Sequence, residues 1–189
     1  MLNTYPTALL LLTVSLATPT LPGAALQAQS AKLDDPTIVA IFDAANTADM
    51  ETGALAEKRG ASKEVRDFGA MLVRDHRMVR QQGRDLAAKL GVTPTPPKDD
   101  QSAKDHAAAM ARLSALQGAE FDRAFLQHEA AFHRAVIDAL TTTLLPSIQN
   151  AELKALVEKV APAFQAHLKM AQELEKKIAG AKAGDRASR

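Results

Sequence analysis

The sequence predicts an all-α protein: a four-helix bundle of two antiparallel hairpins, with a short extra helix in the connection between them. Three observations carry this. Ala, Leu, Lys, Glu and Gln dominate a chain of 189 residues that is 47% hydrophobic, 24% charged and only 4% aromatic, so local propensity favours helix almost throughout. Apolar residues recur at helical spacing in four long segments, and no segment alternates with the period of a strand. The breaks between these segments are two short turns and one proline-rich stretch, the spacing expected of two hairpins and a longer crossover.

The first segment differs in kind from the rest. No charged side chain precedes Lys32, and Ala8 to Ala17, ALLLLTVSLA, is an apolar run too brief to span a bilayer. Small residues follow, with Gly23-Ala24-Ala25 or Leu26-Gln27-Ala28 as cleavage sites. Residues 1–28 therefore read as a secretory signal peptide, although the n-region has no Lys or Arg, and a periplasmic or secreted location is expected.

The bundle domain is expected over residues 34–179. Asp35 followed by Pro36 signals a helix start, and Ile38, Ile41, Phe42, Ala45, Leu55 and Ala56 then recur at helical spacing to about Arg59, where Gly60 ends the helix. Ser62 caps the next helix, whose stripe of Val65, Phe68, Leu72, Val79, Leu86 and Leu90 runs to Gly91. The short link makes these two an antiparallel hairpin. Thr93 to Ser102 cannot be helical in its first half because of Pro94, Pro96 and Pro97. A short Ala-rich helix is expected from about Ser102 to Gln117, closed by Gly118 and lying across the bundle or along its end. The third long helix runs from about Ala119 to Leu144 with Pro146 in the turn. Asn150 caps the fourth, Ala151 to Ala179, which should kink at Pro162 because the ring removes a backbone donor. The tail 180–189 is expected to be disordered.

Composition excludes several functions. Net charge is +1 with acidic and basic residues interspersed, so no cationic field exists to hold a phosphate backbone, and nucleic acid is not an expected partner. The mature chain offers no transmembrane segment. Cysteine is absent, which removes disulfides, thiolate metal sites and thiol nucleophiles, so any metal must use nitrogen and oxygen ligands.

Certain polar side chains share the apolar direction of their helices. At about 100° per residue, His76 falls about 20° from Val65, and Asp49 bears the same relation to Ile38, so both face inward, while Glu51 sits on the flank. The arc of Phe121, Phe125, Phe132, Val136 and Leu140 includes Asp122, Glu129 and His133, with His128 at its edge. His167 lies beside the stripe of the fourth helix. Asp49, His76, His133 and His167 are near the middles of their helices and fall at a common depth. Unpartnered polar groups there cost on the order of 1–3 kcal/mol each, so they must satisfy one another, hold water or bind something. Three imidazoles and one or more carboxylates suit zinc, iron, manganese or copper. A hydrogen-bonded His-Asp network that fixes helix register is the alternative. Met71 and Met78 flank His76 and Met170 follows His167; such thioethers suggest copper, though helical Met is more often core filler.

Familiar signatures are missing. HEAAFH, His128 to His133, has one residue too many for H-E-x-x-H and sets its histidines about 140° apart. The Glu-x-x-His pairs of di-iron bundles fail, because Val73 and Phe164 precede His76 and His167 at that spacing. A G-x-G-x-x-G, a P-loop and a G-x-S-x-G are all lacking.

Taken together, DMETGALA (Asp49 to Ala56), VRDFGAMLVRDH (Val65 to His76), FDRAFL (Phe121 to Leu126), FHRAV (Phe132 to Val136) and APAFQAHLKMA (Ala161 to Ala171) resemble a widespread bacterial family of secreted, ferritin-like proteins, domain of unknown function family 4142, often labelled predicted outer membrane protein. The resemblance implies an exported ferritin-like four-helix domain and marks Asp49 or Glu51, His76, Asp122, His133 and His167 as the family-typical polar positions, a pattern His128 does not match. It implies no activity. The outer-membrane label does not mean a β-barrel, since nothing alternates with period two over strand lengths.

The leading expectation is an exported bundle that binds a metal ion or small ligand in its mid-layer, with His76, His133 and His167 as nitrogen donors and Asp49, Asp122 or Glu129 as oxygen donors or orienters. No catalytic residue is assigned, because a His-Asp pair without a positioned serine completes no hydrolytic triad. The competing expectation is a non-catalytic envelope protein in which the same layer is only a hydrogen-bond network and the outer faces meet a protein partner or a second copy.

Overall fold

A computed structural model describes residues 33–187; the expected signal peptide over 1–28 lies outside them, as do the last two residues of the expected tail. Four long helices form the bundle: α1 (Asp35–Arg59), α2 (Lys63–Lys89), α4 (Gly118–Ala139) and α6 (Ala151–Ala187), with α3 (Ser102–Ser114) in the crossover and a single turn, α5 (Leu145–Ser147), before α6. No strand occurs among the described residues, and none of their helices is long and apolar enough to cross a membrane. The architecture is the all-α, ferritin-like bundle of two antiparallel hairpins.

The elements start and stop for local reasons. The N-cap of α1 is Asp34 rather than Asp35: its Oδ1 accepts from the N–H of Thr37 at 2.9 Å, and Pro36 sits in the first turn where no donor is needed. Asp35 instead accepts the N–H groups of Gln149 and Asn150 at 2.9 and 2.8 Å, tying the start of α1 to the turn before α6. Gly60 ends α1 without a left-handed backbone; a Cβ there would meet the Ala56 carbonyl at 2.8 Å and Val65 at 2.9 Å, so closeness demands the glycine. Within the first hairpin α1 and α2 approach so closely that a Cβ on Gly69 would stand 2.5 Å from the Gly53 carbonyl.

Three helix ends differ from expectation. The third long helix is not continuous to Leu144: α4 ends at Ala139 and Leu140–Leu144 forms a π-helical turn. Thr141 and Thr142 donate their hydroxyls to the carbonyls of Ile137 and Asp138, and Pro146 has no N–H to return to Thr142, so the ladder loosens to the wider spacing. The crossover helix stops at Ser114, and Gly118, with φ of 57°, opens α4. In the fourth helix Pro162 lies inside α6, which continues through Gly180 to Ala187 instead of stopping at Ala179.

Two apolar clusters fill the bundle. One joins Ile38, Phe42, Val79, Leu140, Val157 and Phe164; the other joins Phe68, Leu72, Phe121, Phe125, Leu126 and Ala171. Fully burying each of these larger side chains contributes about 1.5–3 kcal/mol. Every long helix passes from one cluster to the other, and on each the handover falls at buried polar residues: Asn46, Asp49 and Thr52 on α1, His76 on α2, Glu129 and His133 on α4, His167 on α6.

Candidate metal centre

These side chains meet. The rings of His76, His133 and His167 come from three helices, and each offers a nitrogen within 4.8 Å of the other two. Asp49 and Glu129 stand beside them, with Asp49 Oδ2 at 3.4 Å from His76 Nε2, and Glu129 Oε2 and Asp49 Oδ1 at 3.5 and 4.0 Å from His133 Nδ1. All five residues are at most 4% exposed.

The hydrogen bonds around the layer fix which nitrogen of each ring carries its proton. Asn46 Nδ2 donates to the Phe42 carbonyl at 2.7 Å, which turns Oδ1 toward His76; an amide oxygen only accepts, so His76 Nδ1–H donates to it at 2.9 Å and Nε2 is bare. His133 Nδ1–H donates to the backbone carbonyl of Glu129 at 3.0 Å, leaving Nε2 bare. His167 Nε2–H donates to Asp75 Oδ2 at 3.2 Å, leaving Nδ1 bare. The bare His167 Nδ1 lies 3.2 Å from the bare His76 Nε2, two acceptors with no proton to share. His133 Nε2 and all four carboxylate oxygens of Asp49 and Glu129 are buried without a hydrogen-bond partner. Each such atom costs about 1–3 kcal/mol unless something electrophilic meets it.

The electrostatics agree. Burial, with the neighbouring His133 and His167 rings, pushes His76 down to about 2, and burial pushes His133 down to about 4, so the imidazoles are neutral ligands rather than cations. Burial lowers His167 too, against the opposing pull of Asp75. On the acidic side, burial raises Glu129 to about 7, and burial with the Glu129 charge raises Asp49 well above the usual carboxylate range. The imidazoles are neutral donors and the raised carboxyl pair retains a proton in the metal-free fold, which a divalent or monovalent metal ion would displace. Two nitrogens on one tetrahedral metal with bonds of about 2.0–2.1 Å lie about 3.3 Å apart, close to the His76–His167 separation, so the residues present fit such an ion.

Asp122, the remaining expected oxygen donor, is not brought to this layer. It is buried at the end of the bundle, where Oδ1 and Oδ2 accept the N–H groups of Ala61 and Ser62 at 2.7 and 2.8 Å and hold the turn between α1 and α2. Glu51 is exposed and pairs with His106 of α3 at 2.7 Å, and half-buried His128 lies against Phe132, both apart from the layer. Asn46 and Asp75, which orient two of the three rings, were not among the expected site residues. One signal for Asn46 is its place one turn before Asp49 on the same face.

Two solved structures share the fold at low identity. The structure titled "Crystal structure of DUF305 fragment from Deinococcus radiodurans" has a TM-score of 0.66 at 16% identity, covering 75% of this chain and 95% of its own. "CopM in the Cu(II)-bound form" has a TM-score of 0.59 at 14% identity, covering 77% of this chain and 98% of its own. No curated protein matches in sequence. Residues 20–174 match the family described as "Domain of unknown function (DUF4142)", so the chain that builds this histidine layer belongs to that family.

Proposed function

We propose that this protein is an exported helical-bundle domain that holds a transition-metal ion in its mid-bundle layer, with His76 Nε2, His133 Nε2 and His167 Nδ1 as nitrogen donors and Asp49 as an oxygen donor. Glu129 stands beside Asp49 as a further oxygen donor or as the group that shares its proton. The single observation that carries this is the hydrogen bonding of the three rings: each has one nitrogen tied to an acceptor and the other bare, and the three rings bring nitrogens within 4.8 Å of one another. A register-fixing hydrogen-bond network would leave few polar atoms unmatched, and here five buried ones lack partners.

Three imidazoles with a carboxylate suit copper or zinc better than magnesium or calcium. The copper-bound state of a neighbour with the same fold favours copper as the first ion to test. Four protein donors would complete a tetrahedral shell with no position left for a substrate, which favours holding or carrying the ion over catalysis with it. The orienting acceptors Asn46, Asp75 and the Glu129 carbonyl are the partners that ligating histidines normally need to keep their tautomers.

Elemental analysis and thermal unfolding of protein purified without a histidine tag test the proposal directly. About one equivalent of copper or zinc, and a melting temperature that rises with added metal, are expected. Protein that carries no metal and melts unchanged in copper, zinc, manganese and iron would leave only the network. Export is tested separately by the N-terminal sequence of the mature protein, and an intact Met1 on cytosolic protein would overturn it.

A further inference from the structure

We propose that the solvent edge of the layer is a loading station for cuprous copper, built from Asp75 and the thioethers of Met71 and Met170, with His167 behind them as the gate to the inner nitrogens. The proposal rests on the buried-layer reading above. The layer is closed along the bundle axis by the two apolar clusters, with the Phe164 ring 5.4 Å from His76 and 6.2 Å from His133. Sideways, the partners that orient His76 and His133 are themselves fully buried, in Asn46 and Glu129. His167 is the exception. Its partner Asp75 has a side chain 25% exposed, and the other Asp75 oxygen is held at 3.0 Å by Arg74, which is 70% exposed. A polar path thus runs from solvent through Arg74, Asp75 and His167 to the bare nitrogen of His76.

Thioethers border this path. Ion pairs between Glu64 and Lys177 near one end and between Lys89 and Glu152 near the other set α2 and α6 antiparallel, with residue numbers at one level adding to a constant. That register puts Met71 level with Met170, one turn from the level at which Asp75 touches His167. Met71 precedes Asp75 by four residues and Met170 follows His167 by three, so each shares its helix face with one member of the pair. Met71 is half-buried and Met170 is 38% exposed, so core filling does not account for Met170. Thioether sulfur is a soft, uncharged donor that selects cuprous copper and holds zinc weakly. The ion lands on Met71, Met170 and Asp75, displacing the Arg74 guanidinium. His167, released from Asp75, turns aside and the ion passes to the inner nitrogens, with no change of oxidation state.

Stopped-flow mixing tests this, with cuprous copper or zinc delivered from a chromophoric chelator to the parent protein, to Met71→Leu/Met170→Leu, to Asp75→Asn and to Met78→Leu. Leucine conserves the volume, so the fold is retained. The double methionine variant is expected to load and unload cuprous copper about tenfold more slowly with equilibrium affinity nearly preserved, because a doorway changes both rates together. Its zinc rates stay at the parent's values. Asp75→Asn slows both metals, and Met78→Leu, on the far side of Asp75, slows neither. In metal-free protein, imidazole nitrogen NMR should show the His167 Nε2–H tautomer in the parent and lose it in Asp75→Ala, which removes the acceptor. Unchanged cuprous rates in the double variant, or equal slowing of zinc, overturn the station while leaving the buried site standing. A parent protein that binds neither metal at equilibrium overturns both.

Discussion

Asp49 sets stability against binding within one side chain. Both its oxygens are buried without a donor, and burial together with Glu129 raises it well above the carboxylate range, so the metal-free fold carries an unfavourable group at its centre. Asp49→Asn keeps the shape and adds two N–H donors beside the bare His76 Nε2 and the Glu129 carboxyl. The metal-free variant is expected to gain about 1–3 kcal/mol, read as a rise of several degrees in melting temperature, while losing metal affinity. A variant that melts lower than the parent without metal would show that Asp49 already has its partners. Asn46 acts through His76 alone. Asn46→Leu should leave helicity intact and weaken metal binding about 10–100-fold, measured by chelator competition, because the His76 proton loses its acceptor and the ring its orientation. His76, His133 and Asp49 were legible in the sequence because an ionisable residue on an apolar stripe breaks a visible pattern. Asn46 and Asp75 were not. Asp75 adjoins His76 and so points about 100° from the stripe, toward α6, a contact that no single-helix periodicity encodes.

At the scale of elements, the same limit explains Asp122. It lies seven residues before Glu129, nearly on the same helical face, yet about 10 Å away along the axis, and periodicity reports the face without the depth. Depth was readable only for residues near helix middles. What Asp122 does is hold an element boundary: its two oxygens take the N–H groups of Ala61 and Ser62, while Ser62 Oγ caps α2 through the N–H of Val65 at 3.3 Å. Asp122→Ala leaves two turn donors unmet and should cost about 1–2 kcal/mol, the usual loss for a removed cap. Metal affinity should not change, so titration of the folded variant separates this boundary role from a ligand role; a tenfold drop in affinity would return Asp122 to the donor set. The π-helical turn at Leu140–Leu144 escaped the sequence reading for a related reason. Helical spacing continues through the three threonines, and the wider ladder arises only where their hydroxyls compete for carbonyls ahead of Pro146.

For the whole molecule, a polar layer between two apolar clusters ties global stability to pH through groups that titrate abnormally in the metal-free fold. Four helices, their hairpins and the crossover followed from spacing and punctuation, because each feature is local; the balance of charge states depends on how four helices meet. Two opposing effects act. Glu129 is raised to about 7 from an ordinary 4.5 and Asp49 well above an ordinary 3.8, so down to those ordinary values the folded state holds extra protons and stability increases as pH falls. His76 and His133 are lowered to about 2 and about 4 from 6.5, so below 6.5 the unfolded state binds more protons and stability decreases as pH falls. The two partly cancel between 6.5 and 4.5. Below 4.5 the unfolded glutamate protonates as well, and below 3.8 the unfolded Asp49 does, so their contributions level off in turn and the histidines dominate, His133 down to about 4 and His76 down to about 2. Denaturant unfolding of metal-free protein at a series of pH values should therefore show a steep loss of stability below about pH 4. Replacing His76 by Leu should flatten that limb by nearly one proton, about 1.4 kcal/mol per pH unit. Parallel acid limbs in parent and variant would mean that the His76 ring takes up its proton as readily folded as unfolded, which a ring enclosed by Asn46, His167 and Phe164 does not do.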